Sequence, residues 1–238
     1  MQLPKIILIH GLNNRAEAFW PMRDSLIDLG YTVHLVKLPG HGEDRTETEN
    51  WDRASGVFKK SLEEITKDPY VVIAFSQGAL YFQQWLAVKD VPLPQGQILL
   101  SPALFIRNSK LVNLIAKILP SSFKIPSTMP KSLRRHHYLL VSEYRSLFEG
   151  ITRYSKTNFK FPIPTLVLVD SKDELVDAQR LKEKFDSHVT ILERPYLFGR
   201  RPGKHHIIFH PDYYEKDGWD NFIQTIHQWI GLNSLPSK

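Results

Sequence analysis

The sequence predicts an α/β protein: a mostly parallel sheet with helices on both faces and one helical insertion. Three observations carry this. Short runs rich in Ile, Val and Leu recur along the chain, and stretches with helical spacing separate them. The alternation breaks once, over residues 103–161, in a basic segment punctuated by Pro120, Pro126 and Pro130. Strands alternating with helices of about 10–15 residues imply βαβ units, and so a parallel sheet covered on both sides.

Each element follows from its pattern. Residues 5–10 are a β-branched and leucine run ending at Gly11, which reads as a buried strand. Residues 15–29 place Phe19, Met22, Leu26 and Leu29 on one helical side and stop at Gly30. Residues 32–38 form a second strand closed by Pro39-Gly40, and residues 52–67 a charged amphipathic helix with Val57, Phe58, Leu62 and Ile65 inward. A third strand over 70–74 leads into a helix over 77–88, and a fourth strand covers 97–100. Within the insertion, helical periodicity covers 111–119 and 138–151. A strand at 165–169, a helix at 177–185, a strand at 189–192 and a final helix at 219–230 complete the order. The division is a core of residues 1–102 and 162–238, with a cap of residues 103–161.

Composition narrows the function classes. The chain has no cysteine, which excludes disulfides, a thiolate nucleophile and thiolate metal ligands. No leader-like or membrane-spanning apolar run is visible, since a span needs roughly 20 residues, and the expectation is a soluble, cytoplasmic protein. The formal charge is +6, but residues 103–161 hold eleven basic side chains against Glu143 and Glu149. That segment is therefore +9 and the remainder −3. Such asymmetry suggests an acidic partner, for instance an anionic lipid surface, or simply a solvated basic face. Nucleic acid is not expected, because no binding motif accompanies the charge.

In a parallel sheet the reactive groups gather beyond the carboxyl ends of the strands. After the third strand comes Ala74-Phe75-Ser76-Gln77-Gly78, a serine between small residues at a strand-to-helix junction. That is what a strained nucleophile turn needs, with Ala74 in place of the first glycine of G-x-S-x-G. A helix-capping serine is the alternative. After the first strand, His10-Gly11-Leu12 offers the N–H of Leu12, which with that of Gln77 would form an oxyanion hole. The His10 side chain itself suits a structural role. Asp170, Asp173 and Glu174 compete as the acid after the strand at 165–169, while Asp177 suits a helix cap. His206 is the candidate base, with His205 as its alternate; His205, His206 and His210 as zinc ligands are the rival reading. No H-E-x-x-H spacing supports zinc, and no metal is expected. In the cap, Leu111, Leu114, Ile115, Ile118 and Leu119 make an apolar stripe that either lines an acyl pocket or packs the cap onto the sheet.

These segments resemble the α/β-hydrolase superfamily, in particular compact carboxylesterases and monoacylglycerol lipase or lysophospholipase-like serine hydrolases. The resemblance lies in residues 6–12 (IILIHGL), 38–43 (LPGHGE), 71–79 (VVIAFSQGA), 164–176 (PTLVLVDSKDELV) and 205–209 (HHIIF). It implies the α/β-hydrolase fold with about six strands, since the extra N-terminal strands of larger members are missing. It also implies Ser76 as nucleophile, Asp173 as acid and His206 as base, in the chain order Ser–Asp–His that marks this fold among triad hydrolases. His41 is implied to be structural. No cofactor is implied, and the substrate would be a small-molecule ester or lipid. Relatives of this fold also cleave C–C, amide or thioester bonds or transfer acyl groups, and a non-catalytic lipid-binding member is a further alternative. Epoxide and haloalkane chemistry is disfavoured, because those relatives carry Asp where Ser76 stands.

Overall fold

The computed structural model describes residues 3–42, 45–48, 50–63, 65–87, 91–156, 163–194, 204–215 and 217–233. The expected cap boundary at 161/162 and the Pro202-Gly203 turn lie outside them.

Six strands form one parallel sheet: β1 (Lys5–Ile9), β2 (Val33–Val36), β3 (Tyr70–Phe75), β4 (Gly96–Leu100), β7 (Thr165–Asp170) and β8 (Val189–Leu192). Their order across the sheet is β2-β1-β3-β4-β7-β8, so every carboxyl end lies along one edge. β3 is buried at all six positions, which explains its unbroken apolar run YVVIAF: a central strand covered on both faces has no solvent side to mark.

Side-chain alternation divides the interior in two. Ile7, Ile9, Val72, Ala74, Leu99 and Val167 face one layer, with α2 (Trp51–Glu63), α3 (Gln77–Leu86) and α6 (Ala178–Phe185). Ile6, Leu8, Val71, Ile73, Ile98 and Leu168 face the other, with α1 (Trp20–Asp28) and α7 (Gly218–Asn233). The first helix starts later than its periodicity suggested: residues Ala16–Phe19 form a 3-10 turn, and α1 begins at Trp20, just before Pro21, a residue tolerated only in the first turn.

Between β4 and β7 lie α4 (Ser109–Ile118), a hairpin of β5 (Lys124–Pro126) and β6 (Tyr138–Leu140), and α5 (Val141–Ser155). The hairpin corrects the helical reading of 138–151. Tyr138–Leu140 pairs with Lys124–Pro126, and Glu143 accepts from the Leu140 N–H to start α5 only at Val141. Leu147 and Tyr154 of α5 join the same core layer as α2 and α3. Among the described residues no helix is long and apolar enough to cross a membrane.

Candidate active site

Ser76 stands alone between the end of β3 and the start of α3, at φ 51° and ψ −117°. Such a left-handed φ in a non-glycine residue is strained by about 1–3 kcal/mol and persists only where the surroundings enforce it. Although Ser76 occupies the helix-cap position, its side chain makes no capping bond to α3, which removes the capping explanation. Its backbone is pinned instead: the N–H donates to Leu100 O (2.9 Å) and the carbonyl accepts from the Ala103 N–H (3.1 Å). Gly78 shows why the turn needs small residues. A Cβ there would lie 2.3 Å from the His10 carbonyl oxygen and 2.7 Å from Ile9 Cγ2, so α3 sits directly on β1.

The hydroxyl faces an imidazole. His206 Nε2 lies 3.1 Å from Ser76 Oγ, and His206 Nδ1 lies 2.9 Å from Asp173 Oδ2 and 3.1 Å from Oδ1. All three side chains are buried, and the Phe75 ring packs against the imidazole at a centroid separation of 4.9 Å. Burial pushes the Asp173 carboxyl upward, but attraction to His206, its hydrogen bond and the N–H groups of Val176 (2.7 Å) and Leu175 (2.9 Å) outweigh it. The group is held below its ordinary 3.8. A carboxylate ionised in this way can fix the imidazole tautomer and stabilise an imidazolium. Asp170 and His205, the alternates, meet each other instead, with His205 Nδ1 3.0 Å from Asp170 Oδ1. His210 lies 3.7 Å from Asp212. The three histidines thus face three different carboxylates, and no group of three or more potential metal ligands converges among the described residues.

The loop after β1 is built by two neutral imidazoles. His10 Nε2 accepts from the Leu38 N–H (3.1 Å) and Nδ1–H donates to Gly11 O (2.9 Å); burial pushes its pKa from 6.5 down to about 4. His41 Nε2 accepts from the Asn13 N–H (2.7 Å) while Nδ1–H donates to Pro39 O (2.9 Å), and burial with the nearby His10 holds it well below 6.5. Both histidines are therefore structural parts, as expected. Leu12 lies in the loop after β1, between Gly11 and Asn13, whose main-chain groups these imidazoles bind, and Gln77 is the first residue of α3.

The sequence model of the alpha/beta hydrolase family matches residues 6–216. The chain belongs to that family. Solved structures with the same fold include a monoacylglycerol lipase from Paleococcus ferrophilus, at TM-score 0.74 and 18% identity over 98% of this chain and 97% of that one. A soluble variant of the Saccharomyces cerevisiae monoglyceride lipase, in complex with a substrate analog, has TM-score 0.76 and 14% identity over 99% and 88%. A pyrethroid hydrolase from Sphingobium faniae has TM-score 0.59 and 14% identity over 96% and 98%. At such identities these are likenesses of fold. No curated protein is similar in sequence at a significant level.

Within this alpha/beta hydrolase the apolar stripe of α4 is largely exposed. Leu111, Leu114, Ile115 and Ile118 are 59%, 55%, 46% and 73% exposed, and Ala116 is the only buried residue of α4. The stripe is not packed onto the sheet; it forms an exposed apolar face. Other residues near the centre escaped the sequence reading. Asn13 (φ 57°) donates through Nδ2 to Ser127 Oγ (2.8 Å) and His136 O (3.0 Å), and its Oδ1 accepts from the His136 N–H (2.8 Å), which ties the first loop to the insertion. Arg194, two residues past β8, contacts the His206 loop. Its position just after a strand end was the signal available for it.

Proposed function

We propose that the chain hydrolyses carboxylic esters through an acyl-serine intermediate, as carboxylesterases and monoacylglycerol lipases or lysophospholipases do. Ser76 Oγ attacks the ester carbonyl while His206 Nε2 takes its proton, and Asp173 stabilises the resulting imidazolium. The N–H groups of Leu12 and Gln77 receive the oxyanion, each contributing about 3 kcal/mol to transition-state stabilisation. His206 returns the proton to the departing alcohol, and water, activated by the same imidazole, releases the acid. The observation that carries this reading is the 3.1 Å and 2.9 Å line from Ser76 through His206 to Asp173, with the serine held at positive φ. The lipase names among the solved structures of the same fold support an ester as the bond cleaved. Ser76→Ala should abolish turnover of p-nitrophenyl butyrate and labelling by a fluorophosphonate. Undiminished turnover in that variant refutes the proposal.

The partner for the exposed apolar face of α4 is proposed to be an anionic lipid surface. Leu111, Val112, Leu114, Ile115, Ile118 and Phe123 account for most of the large apolar side chains exposed among the described residues. Lys110, Lys117 and Lys124 are exposed beside them, in a segment of net charge +9. An apolar stripe flanked by cations matches an acidic bilayer, where each basic residue contributes about 1 kcal/mol. Co-sedimentation should occur with phosphatidylglycerol vesicles, weaken with salt, and fall in the Leu114→Asp/Ile118→Asp variant. Equal recovery with phosphatidylcholine vesicles, or binding indifferent to the variant, contradicts it.

A further inference from the structure

We infer that Arg194 and Glu174 are positioning residues for His206, gripping the peptide backbone on either side of the imidazole; the inference rests on the role proposed for His206 above. Among the described residues 204–210, which carry His206, there is no helix or strand, only turns such as Ile207 N–H to Lys204 O (3.1 Å). Regular hydrogen bonding therefore does not locate the imidazole, yet its two nitrogens must each meet a partner within about 0.5 Å of a productive position. Side chains supply what the backbone lacks. The His206 N–H donates to Glu174 Oε2 (3.0 Å). On the opposite side of the same residue, Arg194 Nη2 donates to His205 O and Nη1 to Ile207 O (2.9 Å). Three consecutive residues are thereby held through main-chain groups.

Arg194 is itself fixed. Its Nε donates to Asp170 Oδ2 (2.7 Å), its Nη1 also reaches Tyr213 O (3.3 Å), and its guanidinium lies 5.0 Å from the centre of the Tyr214 ring. The remaining oxygen of Asp170 accepts from the Lys172 N–H (2.9 Å) in the turn that leads to Asp173. One guanidinium thus connects the loop of the acid with the loop of the base. Both Arg194 and Asp170 are buried, and a buried ion pair stabilises a fold weakly once desolvation is counted. What such a pair supplies is geometry, because the planar fork presents five donors in fixed directions. The three carboxylates at and just beyond the end of β7 then have separate tasks: Asp173 holds the imidazole ring, Glu174 its backbone, and Asp170 the arginine.

The test uses the full chain and three variants, Glu174→Ala, Glu174→Gln and Arg194→Lys. It measures the second-order rate of phosphonylation by a fluorophosphonate, kcat and KM for p-nitrophenyl butyrate, and the melting temperature. Glu174 is exposed, so its removal leaves the fold intact. Since a displacement of about 1 Å at a reacting group costs on the order of 100-fold in rate, Glu174→Ala should lower kcat and phosphonylation about tenfold with KM within about twofold. Glu174→Gln should restore most of this, because an amide oxygen still accepts from the His206 N–H. Arg194→Lys should lower kcat on the order of 10- to 100-fold, as an ammonium cannot span the same acceptors. If that variant fails to fold, the Glu174 pair decides. Wild-type phosphonylation in folded Glu174→Ala overturns the inference, and so does a loss that glutamine fails to restore. A folded wild-type protein that neither labels nor turns over ester refutes the nucleophile assignment itself, a different result from active wild type with unaffected variants.

Discussion

Adding one methyl group at Gly78 tests whether the seat of α3 on β1 sets the reactive geometry. In Gly78→Ala the new Cβ would lie 2.3 Å from His10 O, 2.7 Å from Ile9 Cγ2 and 3.0 Å from Ile9 O. Two of these atoms are backbone, one at the last residue of β1, which pairs with both β2 and β3, and one immediately after it, so no rotamer change relieves the contact. α3 must move outward, by at least 0.7 Å to bring the shortest separation from 2.3 to 3.0 Å. Ser76 and Gln77 immediately precede the displaced residue and move with it. Overpacking of this kind costs about 1–3 kcal/mol, which for a chain of this length lowers Tm by roughly 2–12 °C. Rate responds more steeply, because a shift approaching 1 Å at the reacting groups costs on the order of 10- to 100-fold in kcat. Differential scanning fluorimetry and p-nitrophenyl butyrate kinetics read both quantities on one preparation. Wild-type Tm together with wild-type kcat would refute the reasoning. A lowered Tm with unchanged kcat would show that the helix seat and the serine are uncoupled.

The remaining predictions concern the loop after β1. His10 and His41 each present Nε2 as an acceptor to a backbone N–H, so both must stay neutral in the folded protein. With His10 at about 4 against an ordinary 6.5, the unfolded chain binds its proton first as pH falls. Stability is therefore complete above about pH 7 and is lost between 6.5 and about 4, by an amount on the order of 3 kcal/mol from His10 alone. A melting temperature flat from pH 8 to pH 4.5 contradicts this. Asn13→Ala removes the side-chain bonds to Ser127, His136 O and the His136 N–H and leaves an alanine at positive φ. The expected cost is about 1–3 kcal/mol in urea unfolding, with a lower kcat because the Leu12 segment loses its anchor. Glycine at the same position should recover the φ-related part alone.

How much of this was legible beforehand depends on the range of the interactions concerned. The sheet was readable because a buried parallel strand must be apolar at nearly every position, as in YVVIAF, and helix faces repeat with a period that survives in the chain. The Ser76 turn was readable because its requirement is local: a strained residue between small neighbours at a strand-to-helix junction. The hairpin of β5 and β6 was not, since Tyr138-Leu139-Leu140 also fits a helical period and only pairing with Lys124–Pro126, many residues away, makes it a strand. Nor was the exposure of the α4 stripe, because periodicity shows that a helix has an apolar side but not what covers it.

The sequence by itself determined the class of fold, the place of the serine turn, the order in which serine, acid and histidine occur and the structural role expected of the His10 side chain. Only the tertiary structure decided among acids and histidines adjacent in the chain. Asp170, Asp173 and Glu174 differ little in chemistry, as do His205 and His206, and the bonds of His206 to Glu174 and Asp173 join residues 32 and 33 positions apart in the chain. Which carboxylate meets which imidazole follows from where β7 and the loop after β8 are brought together by the sheet. That is a matter of three-dimensional register, and no local pattern in the chain encodes it.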